Sequence, residues 1–75
     1  MVEWFGVCLI CKAFCVRGTY SECVRKLEEH LQLHPHREEY YDHYEVFTTK
    51  FFEEIIKEYR PHIAEIVKKL CENRT

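Results

Sequence analysis

The first 18 residues carry the hydrophobic pattern of two short strands. They are rich in aromatic and β-branched side chains, and they end at Gly18, a residue type that often marks the end of a strand. The pattern predicts a β-hairpin with its turn near Cys11 and Lys12.

The pattern changes to a helical period directly after the hairpin. Thr19 and Glu22 form the Thr-x-x-Glu capping pattern of a helix N-terminus. Side chains of one face then recur every three or four positions, at Tyr20, Val24, Leu27, Leu31 and His34. Pro35 lacks a backbone donor and disfavours helical geometry in the residue before it, so the helix should end there. These features predict a helix over residues 20–34.

Residues 37–47 fit a helix less clearly. If this stretch is helical, its aromatic side chains share one side and can pack back on Trp4 or Phe5. These aromatic residues are Tyr40, Tyr44 and Phe47. We therefore expect a helical segment here.

Residues 50–72 show a longer apolar stripe, preceded by Thr49 as a candidate N-cap. The stripe follows a 4-3-4-3-4 spacing through Phe52, Ile56, Tyr59, Ile63, Ile66 and Leu70. Pro61 lies opposite this seam, so a kinked helix or two shorter helices would both preserve it.

The length of this seam bears on assembly. Residues 50–72 would span roughly 35 Å as a helix and residues 20–34 only roughly 22 Å, so the first helix cannot cover the whole seam. We therefore expect a homodimer whose contact centres on Ile56, Tyr59, Ile63 and Ile66. The alternatives are a different protein partner, or a chain that folds back at Pro61 and buries its own apolar face.

Composition adds a need for a stabilising crosslink. At 75 residues the chain is one small domain, and such domains commonly recruit a metal, a disulfide or a partner chain. Five cysteines are an odd number, and the N-terminus lacks the basic start and apolar run of a signal peptide. We therefore expect a reducing, intracellular compartment. No apolar stretch reaches the roughly 20 residues that cross a bilayer, so no membrane association is expected.

The cysteines and histidines supply a candidate metal site. His30 and His34 lie one turn apart on the predicted helix, and Cys8 and Cys11 lie in the hairpin turn. Two thiolates and two imidazoles form the tetrahedral set that structural Zn²⁺ prefers, so we expect one zinc ion per chain. The full pattern is Cys-x2-Cys-x18-His-x3-His.

Other interpretations of these residues remain open. Cys-x-x-Cys also occurs as a redox pair, although that use is typical of a βαβ setting. The two histidines could be ordinary residues of an amphipathic helix, and His36 could replace His34 as the fourth ligand. Three further cysteines are expected to be packing residues, with a Cys15–Cys23 disulfide as an alternative. These cysteines are Cys15, Cys23 and Cys71.

At this point the chain resembles the Cys2His2 zinc-finger family over about residues 3–36. Leu27 stands three positions before the first ligand histidine, as the core leucine of the family does, and Phe14 stands close to the place of its core aromatic. The spacer of 18 residues exceeds the family's usual length of about 12, and the aromatic comes one position early. The short chain with one finger also looks like small Cys2His2 proteins of archaeal viruses.

The resemblance implies a ββα zinc finger, and the apolar stripe of residues 50–72 adds a helical C-terminal extension, so the expected fold is α+β, mostly α. Residues 1–36 would form the finger, and residues 37–75 the extension, which would pack on the finger, dimerise or do both within one compact domain. A closed four-ligand site leaves no position for substrate, so no enzymatic activity is expected.

The family also implies a surface for DNA. Counting back from His30, the family's base-reading positions fall on Cys23, Arg25, Lys26 and Glu29. Lys12 and Arg17 could hold phosphates. The expected function is DNA binding by a small transcriptional regulator. The alternative is a protein-interaction module that uses the acidic, tyrosine-rich stretch 38–58, because the net charge of −2 is unusual for a nucleic-acid binder.

Overall fold

The computed structural model describes residues 2–35 and 37–72. Its strands are β1 (Trp4–Cys8), β2 (Cys15–Gly18) and β3 (Tyr44–Thr48). Helix α1 is Tyr20–Leu31, and a single 3-10 turn, Arg37–Glu39, follows it. Two C-terminal helices, α2 (residues 49–59) and α3 (residues 61–72), each contain a π-helical stretch, at Phe52–Ile56 and Lys68–Glu72. The predicted α+β class and the ββα unit with a helical extension are confirmed.

The hairpin and the capped helix have the predicted arrangement. β1 and β2 pair antiparallel, with Val7 opposite Cys15. The side chain of Thr19 accepts a hydrogen bond from the Glu22 backbone N–H, and the Glu22 carboxylate accepts one from the Thr19 backbone N–H. This capping box fixes where α1 begins.

Helix α1 ends at Leu31, three residues earlier than predicted. The chain continues in a tight turn in which the N–H groups of Leu33 and His34 donate to the carbonyls of His30 and Leu31, both at 3.0 Å. Such i→i+3 bonds satisfy carbonyls that the end of a helix leaves without partners. The turn also keeps the His34 side chain beside His30.

The prediction of a helical segment over residues 37–47 is wrong. Tyr44–Thr48 is a strand that pairs antiparallel with β1, with Phe47 opposite Phe5, and the sheet order is β2–β1–β3. Within this strand, side chains alternate between the two faces of the sheet with period two. The expected contact between Phe47 and Phe5 does form, with ring centroids 6.2 Å apart. Because β3 lies in the second half of the chain, the two halves share one sheet.

The sheet separates two apolar clusters. One lies beneath α1 and contains Cys8, Val16, Cys23, Leu27 and Leu31. The other lies beneath the C-terminal helices and contains Phe5, Val7, Phe47, Phe52, Ile56, Ile63, Ala64, Ile66 and Val67. The molecule is therefore a three-layer arrangement, with α1 on one face of the sheet and α2 and α3 on the other.

Four of the six residues of the C-terminal seam are buried within the chain, so a dimer is not needed to bury them. The helix breaks at Arg60, whose φ of −134° is not helical, and Pro61 begins α3. Ile56, Ile63 and Ile66 are at most 7% exposed, whereas Tyr59 is 68% exposed. The expected dimer assumed that only α1 could cover the seam, whereas β3 widens the sheet and its Phe47 packs in the same cluster as Ile56 and Ile63. The N-cap of α2 is Thr48 instead of Thr49.

The pairing of the cysteines also differs from expectation. Cys15 of β2 forms a disulfide with Cys71 of α3, across a Cα–Cα distance of 6.0 Å. Cys23 is a free, fully buried residue of the α1 cluster, so it is the packing residue that we expected. The disulfide joins α3 to the sheet on the face opposite α1. Within the described residues, no helix is long and apolar enough to cross a membrane.

Candidate metal centre

Three parts of the fold bring the four predicted ligands together. Cys8 is the last residue of β1, Cys11 lies in the hairpin turn, His30 lies in the last turn of α1, and His34 follows that helix. Their ligand atoms all lie within 4.8 Å of one another. This Cys2His2 cluster can hold a metal ion.

The distances within the cluster fit a tetrahedral ion. The Cys8 Sγ lies 3.7 Å from His34 Nε2, the Cys11 Sγ lies 3.4 Å from His30 Nε2, and the two Nε2 atoms are 3.2 Å apart. At the usual zinc–ligand distances, a tetrahedron separates sulfur from nitrogen by about 3.5 Å and nitrogen from nitrogen by about 3.3 Å. All three separations are within about 0.2 Å of these values, and both histidines present the same ring nitrogen.

Backbone hydrogen bonds fix the part of the cluster that the hairpin contributes. The N–H of Cys8 donates to the carbonyl of Phe14 at 3.1 Å, which closes the turn between β1 and β2. Lys12 within this turn adopts a positive φ of 58°. The N–H of Leu9 donates to the carbonyl of His43 at 2.9 Å, so the segment before β3 also anchors the turn.

The four ligands differ in how far they are exposed to solvent. Cys8 is fully buried, His30 and His34 are half-buried, and Cys11 is exposed. Phe14 stacks on the His30 ring with a centroid separation of 4.1 Å and an interplanar angle of 10°. This stack holds the imidazole plane, so the aromatic that the resemblance singled out contacts a ligand directly.

Two of the four ligands, Cys11 and His30, lie in surroundings that favour their neutral forms. Partial desolvation raises the pKa of the Cys11 thiol above its ordinary value, and a hydrogen bond and charge repulsion from Cys8 act in the same direction. Burial lowers the pKa of His30, and the nearby His34 lowers it further. A neutral imidazole is ready to bind a metal, whereas the thiol has to release its proton when an ion arrives.

His36, the alternative fourth ligand, lies outside the described residues. The cluster is complete with His34, whose Nε2 lies against both Cys8 and His30. The four residues predicted from the sequence therefore supply a full set of zinc ligands.

The four basic residues expected to contact DNA do not share one surface. Arg17 lies on the face of the sheet opposite α1, where its guanidinium bonds to Glu3 at 2.7 Å and covers the Phe5 ring. Lys12 lines a groove together with residues of α3. Arg25 and Lys26 are both exposed on α1.

The fold also limits what two other residues expected to read bases can contact. Cys23 is fully buried under α1, so its side chain cannot reach a base. Glu29 lies 3.6 Å from Arg25 in an exposed pair one turn along the helix. The cation of Arg25 is thus partly offset within α1 itself.

Sequence reasoning missed Gly6, which controls how closely α1 approaches the sheet. A Cβ atom at this position would lie 2.6 Å from Leu27 Cδ1, so only glycine lets the helix pack at this distance. A glycine inside a strand pattern was the available signal, because such residues often mark a close approach.

No protein-family model matches the chain, and neither does any curated protein sequence or solved structure. The functional interpretation therefore depends on the cluster and on the surfaces around it.

Proposed function

We propose that the chain is a zinc-folded interaction module in which the metal is structural and the exposed face of α1 meets a protein partner. The convergence of Cys8, Cys11, His30 and His34 supports the metal assignment. Two sulfur and two nitrogen ligands in a tetrahedral arrangement are typical of structural Zn²⁺. Four protein ligands leave no open position for water or substrate, so the proposed role is not catalytic.

Metal analysis tests this assignment. Purified protein should contain about one zinc per chain, and a chelator should unfold α1 because the binding energy of such a site is folding energy. The variant His34→Ala should lose the metal, whereas His62→Ala, which changes an exposed histidine of α3, should keep it. A metal-free native protein with intact α1 would refute the proposal.

The outer α1 face supports a protein partner. We use this name for the residues that line a shallow groove along the helix: Tyr20, Ser21, Val24, Arg25, Glu28, Glu29 and Gln32. It carries one basic side chain against two acidic ones, together with an aromatic ring that is 54% exposed. A surface of this kind repels phosphates and suits a protein that offers apolar and basic groups.

The acidic, tyrosine-rich stretch contributes a second exposed aromatic surface. Tyr40 is 46% exposed and Tyr41 is 99% exposed, in the segment between α1 and β3. Aromatic side chains are enriched among the residues that dominate protein interfaces. His43 from this segment and Glu28 of α1 line one groove, so the segment borders the outer α1 face.

DNA is the second candidate partner, and one observation favours it. The C-terminal helices pack on the opposite face of the sheet, so they leave α1 free to enter a groove, with Arg25 and Lys26 exposed. The family implies this use of the helix, and the resulting role would be transcriptional regulation.

Charge substitutions on α1 distinguish the two partners because their effects have opposite signs. If DNA binds this helix, Glu28→Lys should strengthen binding, Arg25→Ala should weaken it, and affinity should fall as salt rises. If a protein binds, Glu28→Lys should weaken its co-purification and duplex DNA should not bind at low salt. Glu54→Lys, an exposed substitution on α2, is the matched control for net charge. DNA binding that responds equally to Glu28→Lys and Glu54→Lys would place the contact elsewhere.

A further inference from the structure

The outer edge of β3 presents unpaired backbone groups. At the two ends of the β1–β3 ladder, the N–H of Leu9 donates to His43 and the N–H of Thr49 donates to Glu3, both at 2.9 Å. In an antiparallel ladder, hydrogen-bonded residue pairs alternate with pairs that are not bonded. These two bonds therefore determine which residues of β3 face β1.

This alternation determines which backbone groups of β3 point towards β1 and which point away from it. Those of Glu45 and Phe47 face β1, and those of Tyr44, Val46 and Thr48 face away from it. Within residues 2–35 and 37–72, none of the outward N–H groups of these three residues donates a hydrogen bond to a backbone carbonyl. The side chains of the same three residues are half-exposed.

The two edges of the sheet differ in how they are protected. At the β2 edge, α3 is attached through the Cys15–Cys71 disulfide and contacts the strand. β3 carries neither proline nor lysine within Tyr44–Thr48, although such residues commonly block strand pairing at an edge. The charge that β3 does carry, on Glu45, is paired with Arg60 of the same chain.

We propose that β3 pairs antiparallel with β3 of a second copy of the chain, with Val46 on the two-fold axis. In this register the two Val46 residues exchange N–H···O=C bonds with each other. Each Thr48 N–H reaches the Tyr44 carbonyl of the second copy. The strand is self-complementary because its outward groups are spaced evenly about Val46, and the two sheets become one sheet of six strands.

Charges next to the strand favour the same arrangement. Asp42 precedes β3 and Lys50 follows it, and both are exposed. An antiparallel partner places the acidic start of one strand beside the basic end of the other, which gives two opposite-charge contacts for each dimer. Glu45 lies opposite the second copy's Phe47 in this register, so the two carboxylates are not opposed.

This dimer differs from the one expected at the C-terminal seam. It uses a sheet edge and leaves the buried Ile56, Ile63 and Ile66 in the core of each chain. Its two-fold axis stands perpendicular to the sheet, so both α1 helices lie on the same side of the assembly.

Sedimentation of zinc-loaded protein over a range of concentrations tests the pairing. The wild-type chain should form dimers, and Val46→Pro should abolish them, because proline removes the outward N–H and leaves the ladder with β1 intact. Val46→Thr keeps both the N–H and the β-branched shape, so it should still dimerise. Zinc content and helical circular dichroism report whether each variant remains folded.

Swapping the charges of Asp42 and Lys50 tests whether the partner is a second copy of the chain. Asp42→Lys and Lys50→Asp should each weaken dimerisation about three- to tenfold, and the double variant should restore it. A wild-type chain that stays monomeric at about 1 mM overturns the proposal. Dimers of folded Val46→Pro, or loss of dimers in folded Val46→Thr, also contradict strand pairing.

Discussion

Gly6→Ala isolates the packing that brings α1 to the sheet. The added Cβ would lie 2.6 Å from Leu27 Cδ1, 3.1 Å from Val16 Cγ1 and 3.3 Å from Cys23 Cβ. Leu27 and Cys23 are both fully buried, so neither side chain can turn into solvent to make room. Either the Leu27 side chain changes its rotamer or α1 moves away from the sheet.

The expected cost follows from that conflict. Overpacking a well-packed core costs about 1 to 3 kcal/mol, and a domain of this size has a total unfolding free energy of about 5 to 15 kcal/mol. Urea unfolding at saturating zinc measures the loss. Trp4 serves as the probe because it is the single tryptophan, and its ring contacts Tyr20 of α1 with a centroid separation of 5.0 Å. The metal affinity should also fall, because α1 carries His30.

A double-mutant cycle decides whether Leu27 is the obstacle. Leu27→Ala alone should cost about 2 to 5 kcal/mol, as truncation of a fully buried leucine usually does. It also removes the nearest of the three atoms that the new Cβ would meet, so adding Gly6→Ala to Leu27→Ala should cost clearly less than Gly6→Ala costs in the wild-type chain. Additive losses, or an unchanged stability of Gly6→Ala, would refute the packing argument.

Three other predictions concern separate supports of the fold. Thr19→Ala should lower the unfolding free energy by about 1 kcal/mol through loss of the capping box, and Thr19→Ser should not; matched urea titrations of the two variants test this. Phe14→Ala should weaken zinc binding in a chelator competition, because the ring stacked on His30 is lost, whereas Phe14→Tyr should retain it. Replacing Cys71 with serine should cost about 2 to 4 kcal/mol while the protein still binds one zinc, since the disulfide closes a loop with a sequence separation of 56. Loss of the metal in that variant would show that the two crosslinks depend on each other.

The ligand cluster could be predicted because its signals are local. Cys8 and Cys11 flank the start of one hairpin turn, His30 and His34 are four residues apart at the end of α1 and in the turn after it, and Thr19 marks where that helix begins. Spacing along the chain therefore determines most of the geometry. Only the contact between the two halves of the cluster depends on the tertiary fold.

β3 and the disulfide could not be predicted, because both depend on residues far apart in the sequence. The five residues Tyr44–Thr48 are too few to distinguish a period of two from a period of 3.6, and pairing with β1 decides between them. Connectivity among five cysteines does not follow from their positions. The break before Pro61 had a usable signal, since proline disfavours helical geometry at Arg60. Two shorter helices were one of the two forms expected at Pro61. The expected dimer, however, was based on the full length of the seam.

The crosslinks also determine what a single cut in the chain would do. Residues 38–42, between α1 and β3, are exposed, so a protease can reach them. All four metal ligands lie before this segment, so the ion cannot hold the two resulting pieces together. The Cys15–Cys71 disulfide crosses the cut and would keep them covalently joined. Nicked protein would therefore migrate as one species under denaturing conditions and separate into two only after a reductant is added.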